Sequence, residues 1–160
     1  QKTGLALGLP IGYNMTMANL NAVSSYGFLR PAAERQVESQ FIQRLRIKAE
    51  SARQRAGSLS GGNQQKVVVG RWLDSGRRLM ITEDPTAGVD VGAKAEIYHL
   101  LFQALASGMG VLVVSTDFEE IAAICHRAIV FSRGLPVAEL TGIELSTESL
   151  IQAASAGETV

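Results

Sequence analysis

The sequence predicts an α/β protein: a helical part up to about residue 74, followed by strands and helices that build part of a parallel sheet. Three observations predict it. From Pro31 onward Val37, Phe41 and Leu45 recur every four residues, the spacing of one helix face. Val111 to Ser115 is a continuous apolar run of the kind found in a strand buried on both faces. Between Leu79 and Leu140 short apolar runs alternate with helical stretches, the order of a sheet covered by helices. The expected domains are therefore residues 1–74 and residues 75–160.

Taken in order, residues 1–30 mix Gly, Pro and Asn with apolar pieces and predict irregular structure with a short helix near Met15 to Val23. Pro31 suits a first helical turn, and the helix it opens is expected to reach about Lys48. The polar, Gly-rich stretch SARQRAGSLSGG connects it to a second helix over Asn63 to Leu73. Leu79 to Thr82 is a short strand, the Pro85 to Gly88 segment a turn, and Val91 to about Ala106 a helix. After the Gly-Met-Gly break come the Val111 strand, a helix over Phe118 to Ala123, and runs at Ala128 to Ser132 and Val137 to Leu140 around Gly134. Ser146 to Ala154 closes the series as a helix with an N-cap-type start.

Composition narrows the function. Fifteen basic and 15 acidic residues balance to zero net charge, which argues against a bulk electrostatic grip on nucleic acid or an anionic membrane. No apolar run approaches the roughly 20 residues that cross a bilayer, and the QKTG opening is not a secretory signal, so a soluble chain is expected. The single Cys125 cannot form an internal disulfide, and its apolar neighbours predict a buried thiol in a reducing compartment.

Chemistry concentrates in two places. Leu59-Ser60-Gly61-Gly62-Asn63-Gln64-Gln65-Lys66 sets a hydroxyl and two glycines directly before a helix. The first amides of a helix are unpaired and the helix dipole favours negative charge there, so this is a potential anion site. The same residues also read as an ordinary Ser-capped helix after a flexible turn. Downstream, Leu79-Met80-Ile81-Thr82 runs into Glu83 and Asp84, an apolar strand ending in two carboxylates. Nucleotide-hydrolysing α/β proteins present a magnesium-binding acid and a base in this way; the plainer alternative is a strand that ends in a polar turn.

Together, and in this order, the two motifs make the chain resemble the ATP-binding-cassette family of P-loop NTPases: the LSGGNQQ signature, the acidic strand end, a loop ending in Asp90, and the βαβ pattern that follows. The resemblance covers nearly the whole chain. The extension NQQK, the segment Gly88 to Lys94 and the opening GLALGLPIGYNMTMANL are similar to the second cassette of tandem ATPases that drive bacterial monosaccharide import. No G-x-x-x-x-G-K-[ST] phosphate loop occurs in the chain. In the family that loop precedes the part that aligns with Gln1, which implies a fragment that binds ATP poorly by itself.

The resemblance implies ATP and Mg2+ as ligands and a division of roles. Cassettes pair head to tail, so Ser60, Gly61, Gly62 and Gln64 would serve ATP held by a partner cassette, with Asp90 facing that partner. Glu83, Asp84 and Thr116 would serve the local site, Glu83 holding the magnesium and Asp84 standing where the general base does. Two departures fall on that local side. The family presents Asp then Glu, whereas here Glu83 precedes Asp84, and Thr116 replaces the switch histidine. The expected partners are transmembrane permease subunits and, indirectly, a periplasmic sugar-binding protein, with the chain peripheral on the cytoplasmic face of the inner membrane. The altered acids equally suit a non-hydrolysing half-cassette. A DNA-repair ATPase with the same signature would need long coiled coils, and no heptad run is present.

Overall fold

The computed structural model describes residues 4–73 and 75–156; the sequence-predicted boundary at residue 74 lies outside them. Two compact units emerge, one formed by the residues up to Met80 together with Pro85–Leu112, the other by Ile81–Asp84 together with the residues from Val113 onward.

In the first unit, α1 (Ile11–Thr16) turns its Ile11 and Met15 inward, four residues apart. The fully buried Asn14 holds the preceding loop, accepting from the Ala6 amide and donating to the Ala6 and Pro10 carbonyls. A 3-10 turn follows at Leu20–Val23, so the predicted Met15 to Val23 helix is displaced toward the N-terminus and broken in two. The break falls at Asn19, whose φ of −145° is not helical. A two-residue hairpin, β1 (Ser24–Ser25) and β2 (Phe28–Leu29), leads into α2 (Pro31–Arg44).

Helix α2 stops at Arg44 rather than near Lys48. Arg46 adopts φ +48°, the left-handed region that ends helices. The Lys48 amide then donates to the Asn63 side chain at 3.2 Å instead of to its own helix. Leu45 and Ile47 nevertheless stay buried, carrying the apolar face past the helix end. Helix α3 (Gly61–Leu73) begins two residues before its predicted start, and α4 (Val91–Ala106) keeps its predicted span. Val67 of α3 and Ile97 of α4 are fully buried in the core of this unit.

Strand β3 (Leu79–Glu83) pairs with β4 (Gly110–Val114). The Gly110 amide donates to the Arg78 carbonyl at one end, and the Asp84 amide to the Val114 carbonyl at the other. Both strands therefore advance together, the parallel sense expected of a βαβ unit. Burial on both faces of the Val111 strand is not observed: Leu112 is 51 % and Val114 50 % exposed, with Val111 and Val113 half-buried. β3 alternates likewise, with Leu79 and Ile81 exposed and Met80 buried. One face of the pair is more exposed than the other.

The second unit holds α5 (Phe118–Ile124), β5 (Arg127–Ser132), β6 (Leu135–Thr141) and α6 (Thr147–Ala156) around Ile121, Val130 and Leu150. The turn expected at Gly134 is present. β5 and β6 are antiparallel, joined by Arg133 and Gly134 at φ +51° and +81°. Two residues with positive φ make the tight turn whose twist matches a hairpin, and so short a link cannot join parallel strands. Cys125 is half-buried against this core rather than fully enclosed; burial, with the Glu120 charge adding to it, pushes its thiol pKa up. No described helix is long and apolar enough to cross a membrane.

Glu38 of α2 lies against Gly12 of α1, where an added Cβ would collide with its carboxylate. Burial raises the Glu38 pKa, the Glu34 charge adds to the rise, and Arg53 and Arg35 oppose it. The unfolded chain ionises this group near 4.5, the folded chain at a higher pH. In that window the native state holds the extra proton, so stability falls as pH rises through it. Glu38→Gln is expected to raise stability at pH 7 and to leave it unchanged at pH 4, as read by urea unfolding at both values.

Candidate functional site

The mouth of α3 is built from the loop before it. A 3-10 turn at Ala56–Ser58 is pinned by amide bonds from Ala56 to the Leu9 carbonyl and from Gly57 to the Leu7 carbonyl, at 3.0 and 2.9 Å. Leu59 is buried, and this anchor pushes Ser60 and Gly61 outward, where both are exposed. The Ser60 carbonyl accepts from the Gln64 amide at 2.9 Å and starts the helix. The amides of Gly61, Gly62 and Asn63 come earlier than any possible i−4 bond within α3, so they are the helix's donors toward whatever stands at its mouth. Exposed glycine, unpaired amides and the positive end of a 13-residue helix form an anion-binding edge.

The two glycines do different work. A Cβ on Gly62 would stand 2.6 Å from the Ala93 Cβ, so this residue lets the starts of α3 and α4 touch. A Cβ on Gly61 would meet only the Gly88 carbonyl oxygen at 3.8 Å, an ordinary contact. Space at Gly61 is thus left open on the outer side. Asp90 caps α4, its Oδ1 accepting from the Ala93 amide at 2.9 Å, and its other oxygen lies 3.9 Å from the Gly62 Cβ position. The signature residues and the Gly88 to Asp90 turn, far apart in sequence, are therefore neighbours. Asp90 is thus a helix cap that lies beside the α3 mouth.

Gln64 turns back on its own loop, donating from Nε2 to the Leu59 carbonyl at 2.9 Å. Two residues not singled out from the sequence support the mouth more directly. Asn63, 9 % exposed, donates from Nδ2 to Ser60 Oγ at 3.0 Å and accepts the Lys48 amide at Oδ1. Lys66, almost fully buried, donates to the Arg46 carbonyl at 3.0 Å and forms an ion pair with Glu96 of α4. Both lie in the NQQK extension of the motif, and residues three and six after Ser60 fall near the same side of α3 as the loop.

Glu83 and Asp84 end β3 and are both exposed. Asp84 takes φ +42°, a left-handed conformation that Asp tolerates better than most side chains. Its amide bond to Val114 brings the acid pair to the end of β4, two residues before Thr116. Thr116 is exposed in a bend held by its neighbours: Ser115 Oγ accepts the Asp117 amide at 3.1 Å, and Asp117 caps α5. Among the described residues no three His, Cys, Asp or Glu side chains converge. The donor set fits a magnesium ion shared with a phosphate ligand and water, as one carboxylate suffices there.

No protein-family model matches the chain. It is 41 % identical over 152 residues to the ribose import ATP-binding protein of Jannaschia sp. (strain CCS1), covering 95 % of this chain and 30 % of that protein. It is 38 % identical over 152 residues to the arabinose import ATP-binding protein of Rhizobium etli, covering 94 % and 30 %. Among solved structures, the ADP conformation of an ATP-binding cassette of an ABC transporter superposes with a TM-score of 0.74 at 18 % identity, over 95 % of this chain and 63 % of that one. A nucleotide-free cassette from an ABC transporter gives 0.71 at 22 % identity, over 93 % and 60 %. The chain spans about 30 % of the length of the curated relatives it matches. With that identity along nearly its whole length, and the fold of solved cassettes around the LSGG mouth, this chain belongs to the ATP-binding-cassette ATPase family.

Proposed function

We propose that this chain is the signature-bearing part of the second cassette of a tandem ATPase that powers monosaccharide import. The observation that carries it is the exposed Ser60–Gly61 edge at the mouth of α3, open on its outer side and joined to the Asp90 turn. In this reading residues 1–74 are the helical subdomain and residues 75–160 the later part of the α/β core. Ser60, Gly61 and Gly62 donate hydrogen bonds to the terminal phosphate of ATP held by a partner cassette. Gln64 holds the loop that presents them, and Asp90 faces the partner. Permease subunits and a periplasmic sugar-binding protein complete the assembly, with the chain on the cytoplasmic face of the inner membrane. The import proteins it resembles support this placement.

Glu83 would hold Mg2+, and bound magnesium would neutralise charge on the phosphates as hydrolysis proceeds. Asp84 would accept the proton of the attacking water. Its carboxylate sits one methylene short of a glutamate's reach, and a misplacement of about 1 Å can cost about a hundredfold in rate. Thr116 cannot share a proton as a histidine does. The local hydrolytic site is therefore weak while the signature works in trans. The same two residues favour a second reading, a half-cassette that completes its partner's site and hydrolyses nothing itself.

Substitutions in the full-length protein separate these statements. Gly61→Ala is expected to leave folding intact and to lower ATP turnover by at least about tenfold, since its methyl group blocks phosphate approach. Unchanged turnover in that variant would sink the trans-signature reading. Gly62→Ala must displace Ala93 and is expected to cost about 1–3 kcal/mol of stability as well. Asp84→Asn is expected to change turnover by only a few per cent, while Asp84→Glu, by restoring reach at the local site, is expected to raise total turnover up to about twofold. A loss with Asp84→Asn as large as that with Gly61→Ala would overturn the asymmetry. No gain with Asp84→Glu selects the non-hydrolysing reading.

A further inference from the structure

We propose that Asn63 is a positioning residue that sets which way Ser60 uses its hydroxyl. The inference rests on the trans-signature reading and deepens it. A serine hydroxyl has one hydrogen to give and two lone pairs to receive; only the hydrogen is of use to a phosphate oxygen.

The orientation of the Asn63 amide follows from its partners. The Lys48 backbone amide can only donate, and it points at Asn63 Oδ1 from 3.2 Å. Nδ2 therefore takes the other side, where it reaches Ser60 Oγ at 3.0 Å. Nδ2 is a donor, so it occupies a lone pair of Ser60. The Ser60 hydrogen cannot point at Nδ2 and is left for the solvent side, where the residue is exposed. Among the described residues Asn63 is the hydroxyl's hydrogen-bond partner.

The Lys48 amide is itself held in place. Arg46 turns the chain through φ +48°, and its carbonyl is gripped by Lys66 Nζ at 3.0 Å. Lys66 is in turn paired with Glu96 on α4. The order of dependence runs from the Lys66–Glu96 pair through the Arg46 turn and the Lys48 amide to Asn63 and finally Ser60. Lys66 and Asn63 in it are buried, Arg46 and Lys48 act through their backbone, and Glu96 is partly exposed. The NQQK extension of the signature thus acts by holding a proton at Ser60 Oγ in the direction of the bound phosphate.

Asn63→Asp tests this with almost no change of shape. The carboxylate still accepts from Lys48 but offers Ser60 an acceptor in place of a donor, so the hydroxyl turns inward. ATP turnover of the assembled transporter is measured for Ser60→Ala, Asn63→Asp and the double variant, with thermal unfolding as the check on folding. Each single change is expected to lower turnover by about 10- to 100-fold, the worth of a hydrogen bond to a charged group. The double variant is expected to lie within about twofold of Ser60→Ala alone, because both remove the same donor. Losses that multiply would show that Asn63→Asp acts by charge or by misfolding, which overturns the positioning role. So would an Asn63→Asp protein as active as the parent when Ser60→Ala is impaired. If Ser60→Ala is itself fully active, the trans-signature reading fails, and the positioning role falls with it.

Discussion

The closest approach that shapes the site is between the starts of two helices, α3 and α4. Gly62 lies where any larger residue would drive a Cβ to 2.6 Å from Ala93. Because the helices meet there, the loop before α3 and the turn before α4 become one surface. Asp90 caps its own helix and lies beside the mouth of the other. The first amides and the positive dipole end of α3 favour an anion at its mouth, while those of α4 are capped by Asp90. The requirement for glycine is thus first a packing requirement, and the anion-binding edge follows from it.

Buried polar groups hold this surface in register. Lys66 is almost fully enclosed, yet its ammonium has a carbonyl and a carboxylate to bind, so it ties α3 to the Arg46 turn and to α4 at once. An ammonium in such a place costs a great deal unless it is paired and hydrogen-bonded. Asn63 uses both ends of its amide in the same region. A satisfied polar network specifies one arrangement more sharply than apolar packing does, because a shifted alternative leaves donors unmet. Precision at the Ser60 hydroxyl is thereby borrowed from residues that never face a ligand.

The acid pair has a looser setting. Glu83, Asp84 and Thr116 are exposed at the ends of β3 and β4, and the strands leading to them bare one apolar face, with Leu79 57 % and Ile81 65 % exposed. A catalytic base needs a fixed position and exclusion of water to reach full effect. Among the described residues nothing shields these groups from water, whereas the α3 mouth is backed by the Ala56–Ser58 turn and by Asn63.

Much of this was legible along the chain. The 3.6-residue period of α2, the capping Asp before α4 and the acid-ended strand each rest on local physics, and their positions came out within a few residues. Both motifs could be recognised because their residue types and spacing are the chemistry itself. Tertiary structure decided what spacing cannot encode. The halt of α2 at Arg44 leaves the Lys48 amide to Asn63, fifteen residues further along the chain. The separate duties of Gly61 and Gly62 depend on Ala93, a neighbour only in space. Periodicity reports which side of an element is apolar; partners distant in sequence determine what that side meets, and only folding brings them together.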